Sequence, residues 1–172
     1  MKNLEKVILG LSLTLGSGCS SPKSYICQKE QIKFDDGDSF FCGNTYIRCL
    51  GFDTPEVIHY EHGISINQPF GPEAKNYTNQ LLNEAMNIRI FEMGKDEYDR
   101  PLAHVLVDGE LLGIKLIQGR LAYETISVYG PQSFPEFAIQ ITDAYAKATS
   151  EEPLPFENPH DWREKNQVKK VK

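Results

Sequence analysis

Hydrophobic and polar residues along the chain follow two patterns, one typical of strands and one typical of helices. Short segments with alternating or continuous apolar residues between turn residues predict five strands: 25–34, 38–42, 45–52, 87–92 and 102–107. Apolar residues at helical spacing predict three helices: one over 71–86 with Pro72 in its first turn, one over 110–118 that Gly119 closes, and one that Ser133 and Glu136 begin as a capping box.

One of these helices lies between the third and fourth strands. This order predicts an α+β fold, a five-stranded OB-type β-barrel (the small closed barrel of the oligonucleotide-binding type) with about three packed helices. With 172 residues, of which 40% are hydrophobic, the chain is long enough for one such domain, which we place at residues 25–163. From Ser150 the sequence is rich in Pro, Glu and Asn, and we expect an extended wrap that ends in a disordered basic tail at 164–172.

The start of the chain has the layout of a secretory signal peptide. Lys2 and Lys6 precede a nine-residue apolar stretch, Val7–Leu15, which small residues connect to Cys19. Nine residues are too few for a helix that spans a bilayer. We therefore expect residues 1–18 to be a signal peptide and the protein to be exported. The alternative is the start of an ordinary buried strand or helix.

A cysteine directly after small residues is typical of a bacterial lipoprotein, so Cys19 is a candidate for lipidation. Lipoprotein signals usually carry Leu three positions before the cysteine, where this chain has Gly16. Lipidation and plain cleavage are both open, and the protein is expected to be secreted, periplasmic or a cell-envelope lipoprotein with Cys19 as its membrane anchor. Residues 19–24 are then a short linker before the domain.

Export would place the remaining cysteines in an oxidising compartment, where disulfides persist. Two predicted strands flank an Asp-Asp-Gly turn at 35–37, and a hairpin across this turn would bring Cys27 nearly opposite Cys42. Cys49 would point to the other face of its strand. The sequence therefore predicts a Cys27–Cys42 disulfide. The alternative is that the three cysteines are small buried hydrophobic residues.

The net charge limits how this chain could bind a polyanion. Eighteen Lys and Arg against 24 Asp and Glu give a formal charge of -6, which excludes a protein whose whole surface attracts nucleic acid. Any such binding must be local. Nothing in the sequence resembles a serine nucleophile, a Gly-rich phosphate loop or a cofactor motif, so no organic cofactor is expected.

Acidic residues concentrate at predicted strand ends in two segments, 36–39 (DGDS) and 47–56 (IRCLGFDTPE), the second of which includes an arginine. Taken alone, Asp-Gly and Asp-Thr-Pro are ordinary turn formers. Taken together, three carboxylates that converge on one point need a cation. Oxygen ligands favour Ca²⁺ or Mg²⁺, and flexible carboxylate and carbonyl ligation suits Ca²⁺ better.

The remaining histidines are weaker candidates for a site. His59 and His62 have a spacing that could bind a transition metal, but both fall in a loop where histidines are mostly solvated. His104 is expected to be a packed or surface residue.

Six short motifs in this chain occur together in one known family. They are DGDSF at 36–40, IRCLGFDTPE at 47–56, FGPEA at 70–74, DEYDRPLAHV at 96–105, LIQGRLA at 116–122 and a Pro-x-x-Trp-Arg-like ending at 159–163. Their order and spacing resemble the thermonuclease family, the staphylococcal-nuclease-like domains. The resemblance covers roughly residues 25–163, and several motifs in register are more specific than any single one. It implies a barrel-plus-helices fold and the cleavage of DNA and RNA with Ca²⁺.

The resemblance also implies a set of metal ligands. Asp38 and Asp53 would bind Ca²⁺ directly, and the Thr54 main-chain carbonyl would be a third ligand. Glu56 would reach the metal through a water molecule and activate or orient the attacking water.

Four further residues would contact the nucleic acid. Arg48 and Arg100 resemble the family's two phosphate clamps, because planar guanidinium groups stabilise a phosphodiester as its charge grows. Tyr98 resembles a tyrosine that hydrogen-bonds phosphate, and Tyr129 one that stacks near a base or sugar. The alternatives are a surface ion pair for Arg48 and half-buried packing for Tyr129.

The sequence thus predicts an exported Ca²⁺-dependent endonuclease that acts as a monomer on DNA and RNA, hydrolyses the P–O5′ bond and leaves 3′-phosphates. One alternative is a catalytically silent barrel that binds nucleic acid or a protein partner, and a weaker one is an adhesion lipoprotein of the cell envelope. The combined acids and arginines favour catalysis, because a silent copy has no physical reason to keep them together.

Overall fold

The computed structural model of the protein describes residues 23–96, 99–132 and 134–168. The following predictions fall outside these ranges: the signal peptide at 1–18, lipidation of Cys19, most of the linker, the role of Tyr98, the helix start at Ser133 and the end of the basic tail. Within the described ranges, no helix combines the length and the apolar character needed to cross a membrane.

The described strands form one curled sheet and a small separate pair. In chain order they are β1 (Lys23–Cys27), β2 (Ile32–Phe34), β3 (Ser39–Cys42), β4 (Thr45–Cys49), β5 (Phe52–Asp53), β6 (Ile88–Lys95), β7 (Pro101–Val107), β8 (Glu110–Leu111) and β9 (Tyr123–Glu124). The sheet has the order β1-β6-β7-β4-β3-β2 with β8 beside β7, and β5 pairs with β9. Because the outermost strands β1 and β2 follow each other in the chain, the sheet curls into a half-barrel.

Helices lie against this half-barrel and after it. They are α1 (Gly71–Glu84), α2 (Leu112–Gln118), α3 (Ile126–Tyr129), α4 (Pro135–Ala148) and α5 (Pro159–Asn166), and single 3₁₀ turns occupy Lys29–Gln31 and Tyr60–His62. Proline stands in the first turn of α1, α4 and α5, where its missing N–H costs no helical hydrogen bond.

The α+β prediction is confirmed, but the described part of the chain has five α-helices instead of about three. The extended wrap predicted after Ser150 is interrupted by α5. That helix begins where the Asn158 side chain accepts a hydrogen bond from the His160 N–H, and Trp162 buries its ring against the domain.

The hairpin predicted around the two cysteines differs in register from the structure. A 3₁₀ turn breaks the predicted strand 25–34, so Cys27 ends β1 opposite Ile88, and Ile32 lies opposite Cys42. The structure nevertheless joins Cys27 and Cys42 in a disulfide with Cα atoms 6.0 Å apart, since β1 and β3 meet where the half-barrel curls. Cys49 is a free, buried thiol.

The core lies between the sheet and the helices α1, α2 and α4. Its fully buried members include Phe40, Ile47, Leu82, Ile90, Leu112, Leu116, Ile117 and Ile141. Gly113 in α2 lets Phe52 of β5 approach closely, because a Cβ at that position would lie 2.4 Å from the Phe52 ring. Helix α2 thereby fixes the position of β5, which ends in Asp53.

Candidate active site

Two buried aspartates stand at strand ends on one side of the half-barrel. Asp38 precedes β3 and is 1% exposed, and Asp53 ends β5 and is 5% exposed. The Thr54 N–H donates to Asp38 Oδ2 at 3.2 Å. Gly37 leaves no room for a side chain, since a Cβ there would lie 2.5 Å from Thr54 Oγ1. The two acidic turns are therefore packed directly against each other.

Arg48 connects these two aspartates. It lies in β4 between Ile47 and Cys49, which face the core, so strand alternation turns its guanidinium to the opposite side. One terminal nitrogen donates to Asp38 Oδ1, and the other donates to Asp53 Oδ1 at 2.8 Å. Planar guanidinium geometry suits this bridge between two carboxylates.

Glu56 lies in the same turn as Asp53, and a second arginine joins the two. Arg163 of α5 donates through Nη1 to Glu56 Oε1 and through Nη2 to Asp53 Oδ2 at 2.7 Å. The sequence analysis did not assign a role to Arg163. The Trp-Arg pair in the ending at 159–163 marks the position, but Arg163 stands 107 residues from Glu56 along the chain, and only the folded chain relates the two.

A buried glutamine holds the backbone of Glu56. Gln68 is 1% exposed, its Oε1 accepts from the Glu56 N–H at 3.1 Å, and its own N–H donates to the Glu56 carbonyl at 2.8 Å. Its Nε2 donates to the Glu157 carbonyl at 2.6 Å, just before α5. Gly71, at the start of α1, packs on the same turn, because a Cβ there would lie 2.2 Å from the Glu56 carbonyl oxygen. The turn is thus tied both to α1 and to the segment that leads into α5.

Burial and neighbouring charges act differently on the two aspartates. Burial raises the pKa of Asp38 well above its ordinary range, although Arg48 opposes the shift, and repulsion from Asp53 adds to it. Burial also disfavours the charged form of Asp53, but Arg48 and Arg163 outweigh burial and lower the pKa of Asp53 to about 2. Burial raises the pKa of Glu56 in spite of Arg163.

Arg100 lies immediately before β7. Its Nε donates to Asp96 Oδ2 at 2.6 Å, and its backbone N–H donates to Asp96 Oδ1 at 2.9 Å. The guanidinium carbon lies 5.9 Å from the centre of the Tyr46 ring. Arg100 and Asp96 both line the cavity that Arg48 also lines.

A cavity of about 390 Å³ brings most of the predicted site residues together. Its lining includes Arg48, Asp53, Arg100, Tyr129 and Arg163. Asp38 is linked to this group through Arg48, and Glu56 is linked through Arg163. Tyr129 is 63% exposed, which leaves its ring accessible at the cavity wall.

Other candidates take part in packing or in separate contacts. The His59 and His62 rings meet edge to face at 4.1 Å, and His59 Nε2 lies 3.3 Å from Asp35 Oδ1. His104 is fully buried against Phe134 and Phe137, and burial lowers its pKa to about 4.

The donor chemistry of the acidic cluster fits a hard divalent cation. Four carboxyl groups, those of Asp36, Asp38, Asp53 and Glu56, stand beside the guanidinium groups of two arginines. Burial and repulsion from Glu56 raise the pKa of Asp36 to about 7. A divalent cation would relieve this repulsion, and all the predicted ligand atoms are oxygens. Among the described residues, however, no three His, Cys, Asp or Glu side chains are arranged so that they could hold a metal ion together.

Comparison with known proteins adds independent evidence. Residues 46–152 match the family described as staphylococcal nuclease homologue. The chain is 34% identical over 77 residues to a thermonuclease of Staphylococcus intermedius, a region that covers 44% of each protein. It is 31% identical over 96 residues to a thermonuclease of Staphylococcus hyicus, which covers 53% of this chain and 55% of the relative.

A third similarity extends further along the chain. An uncharacterized endonuclease of Haemophilus influenzae is 30% identical over 118 residues, which cover 66% of this chain and 59% of that protein. The chain thus spans about half the length of the curated relatives it matches. Since the family match at residues 46–152 covers more than half of the chain, this protein belongs to the staphylococcal nuclease homologue family.

Proposed function

We propose that this protein is an exported Ca²⁺-dependent endonuclease that hydrolyses the P–O5′ bond in DNA and RNA and leaves 3′-phosphates. The observation that carries the proposal is one cavity in which arginines and a buried carboxylate face the same space. Relatives that are named thermonuclease and endonuclease support the reaction class.

The acids would hold the metal. Asp38, Asp53 and the Thr54 carbonyl are the proposed Ca²⁺ ligands, and Glu56 would contact the metal through water. A bound Ca²⁺ would place positive charge against the phosphate oxygen on which negative charge grows. Glu56 would accept a proton from the attacking water as the water oxygen bonds to phosphorus, and its raised pKa suits it to act as a base. The P–O5′ bond breaks in the same step, and the departing 5′-oxygen takes a proton from solvent.

The arginines would act on the phosphate. Arg48 in β4 and Arg100, immediately before β7, both line the cavity, so both guanidinium groups could contact a phosphodiester bound there. A charge that increases during the reaction is stabilised most by donors that are already fixed in place. Asp96 and Tyr46 provide that fixation for Arg100.

Substrate contacts and location complete the proposal. Tyr129 is exposed at the cavity wall, where it would stack against a base or sugar, and Tyr98 would hydrogen-bond phosphate. The apolar N-terminal stretch supports export, with anchoring at Cys19 if that residue is lipidated. The enzyme would act as a monomer.

Digestion of plasmid DNA and of an RNA transcript tests this function. The protein that comprises residues 19–172 is incubated with each substrate, once with Ca²⁺ and once with excess EGTA. We expect cleavage of both substrates with Ca²⁺ and none with EGTA. Binding of an oligonucleotide without any cleavage would instead support a silent nucleic-acid-binding barrel.

A further inference from the structure

We propose that Arg163 is a positioning residue for Glu56, so that the C-terminal helix α5 is part of the catalytic site. This inference rests on the proposed nuclease function and adds a third arginine to it. Arg163 would act through the Glu56 carboxylate, whose orientation it fixes, and Arg48 and Arg100 would remain the groups that contact phosphate.

The contacts of Glu56 and Asp53 differ in a way that points to Glu56. Among the described residues, Arg163 supplies the only side-chain hydrogen bond to the Glu56 carboxylate, which is 12% exposed. Asp53, by contrast, also accepts a hydrogen bond from Arg48. Loss of Arg163 would therefore leave the Asp53 carboxylate hydrogen-bonded to Arg48, whereas the Glu56 carboxylate would keep no side-chain hydrogen bond among the described residues.

The fork of the guanidinium group matters as much as its charge. Arg163 pairs with both oxygens of Asp53, through Nη1 at 3.2 Å and Nη2 at 2.7 Å, and the same Nη1 donates to Glu56 Oε1. One rigid plane therefore holds the Glu56 carboxylate in a fixed position relative to Asp53. A lysine ammonium is a point charge on a flexible stem and does not impose this position. Small displacements of a catalytic base lower the rate steeply, because reaction requires a narrow range of geometry.

Helix α5 is docked firmly enough to serve as the support. Trp162, next to Arg163, is 6% exposed. Beyond the helix, Gln167 Nε2 donates to the His62 carbonyl at 2.8 Å, and the Val168 N–H donates to the Gly63 carbonyl at 3.0 Å. The loop that follows Glu56 is therefore bound to the segments on both sides of α5, since Gln68 contacts the Glu157 carbonyl at the other end.

A double-mutant cycle tests the proposal in the chain that lacks residues 1–18. The variants are Arg163→Gln, Glu56→Gln and the combination of both. Arg163→Lys keeps the charge without the fork. Lys165→Gln is the matched control, because Lys165 lies two residues further along α5 and pairs with the exposed Glu157 instead of the site. Steady-state cleavage of a labelled oligonucleotide with Ca²⁺ gives kcat and KM for each.

We expect Arg163→Gln to lower kcat about 10–100-fold, the loss typical of groups that orient metal-site residues, with a smaller change in KM. Arg163→Lys should recover only part of the loss, and Lys165→Gln should match the wild type. The double variant should be no slower than Glu56→Gln alone, since both changes would disable the same group. Three results would each overturn the proposal. They are a kcat loss in the double variant equal to the product of the two single losses, a wild-type kcat for Arg163→Lys, and a wild-type kcat for Arg163→Gln.

A second readout does not depend on activity. Urea unfolding of the same variants in EGTA should show that Arg163→Gln shifts the midpoint less when Glu56 is already Gln, because their contact is then weakened in both proteins. Equal shifts in the two backgrounds would contradict the contact.

The proposal stays testable if Arg163→Gln does not fold. In that case the kcat of Arg163→Lys is compared with the kcat of Lys165→Gln, and equal values would overturn the proposal. A wild-type protein that cleaves nothing would refute the proposed function as well, whereas an active wild type with an unaffected Arg163→Gln would refute this inference alone.

Discussion

Arg100 lines the same cavity as Arg48 and Arg163, and its Nε and backbone N–H donate to Asp96. Arg100→Ala should lower kcat about 10²–10³-fold, by analogy with the removal of one fixed oxyanion donor. Arg100→Lys should recover little, since an ammonium does not replace a planar fork. The control is Arg89→Ala, an exposed arginine on β6. Oligonucleotide cleavage rates that are equal for Arg100→Ala and Arg89→Ala would contradict the assigned role.

Glu56→Gln separates proton transfer from binding. The amide keeps an oxygen that accepts from Arg163 but is a poor proton acceptor, so most turnover should disappear while oligonucleotide affinity stays close to that of the wild type. Single-turnover cleavage and equilibrium binding of the same oligonucleotide measure the two effects. A cleavage rate near that of the wild type would show that Glu56 is not the base.

The sequence motifs identified the site residues whose partners lie nearby in the chain. They did not identify Arg163, whose partners lie far away in the chain. Asp38, Arg48 and Asp53 lie within 16 positions of one another along the chain, on adjacent turns and strands whose pairing the alternation pattern indicates. Arg163 reaches the site only because α5 folds back onto the domain. No periodicity in the sequence specifies which acid the helix will meet, so its contacts had to come from the structure.

At the scale of elements, the Cys27–Cys42 disulfide ties β1 to β3 at the edge of the half-barrel. Its sequence separation of 15 residues corresponds to a stabilisation of about 3 kcal/mol from restriction of the unfolded chain. Replacing both cysteines by serine should lower the free energy of unfolding by about that amount in urea titrations. Thiol titration of the denatured, unreduced Cys19→Ser variant should find one free group, Cys49, whereas three free groups would contradict the bridge.

Element types were predictable where a period or a cap was strong, and element boundaries were not. The helix at 71–84 was expected because Pro72 and the apolar spacing agree. The break of the strand at 25–34 was missed because a 3₁₀ turn at Lys29–Gln31 leaves the apolar pattern intact on both sides. Helix α5 was missed because its mostly polar sequence has little apolar periodicity, and its buried residues are only Pro159 and Trp162.

At the scale of the whole molecule, a buried neutral histidine should make stability depend on pH. The His104 pKa is lowered to about 4 by burial, whereas an unfolded histidine titrates near 6.5, so the unfolded chain binds this proton first as the pH falls. Stability should therefore decrease between pH 6.5 and pH 4, by about 2–3 kcal/mol from this group. Urea titrations at pH 7 and pH 4.5 should show a smaller loss for His104→Leu than for the wild type. Equal losses would contradict the prediction.

Despite its net charge of -6, the protein directs three arginines into one cavity beside a buried carboxylate, and the central claim is that this arrangement cleaves phosphodiesters. The most direct measurement is the digestion of a 5′-labelled DNA oligonucleotide by the wild type and by Glu56→Gln in Ca²⁺, followed by analysis of the product ends. The account predicts 3′-phosphate products from the wild type, strongly reduced cleavage by Glu56→Gln and no cleavage in EGTA. An oligonucleotide that stays intact with wild-type protein and Ca²⁺, or products that form equally well in EGTA, would contradict it.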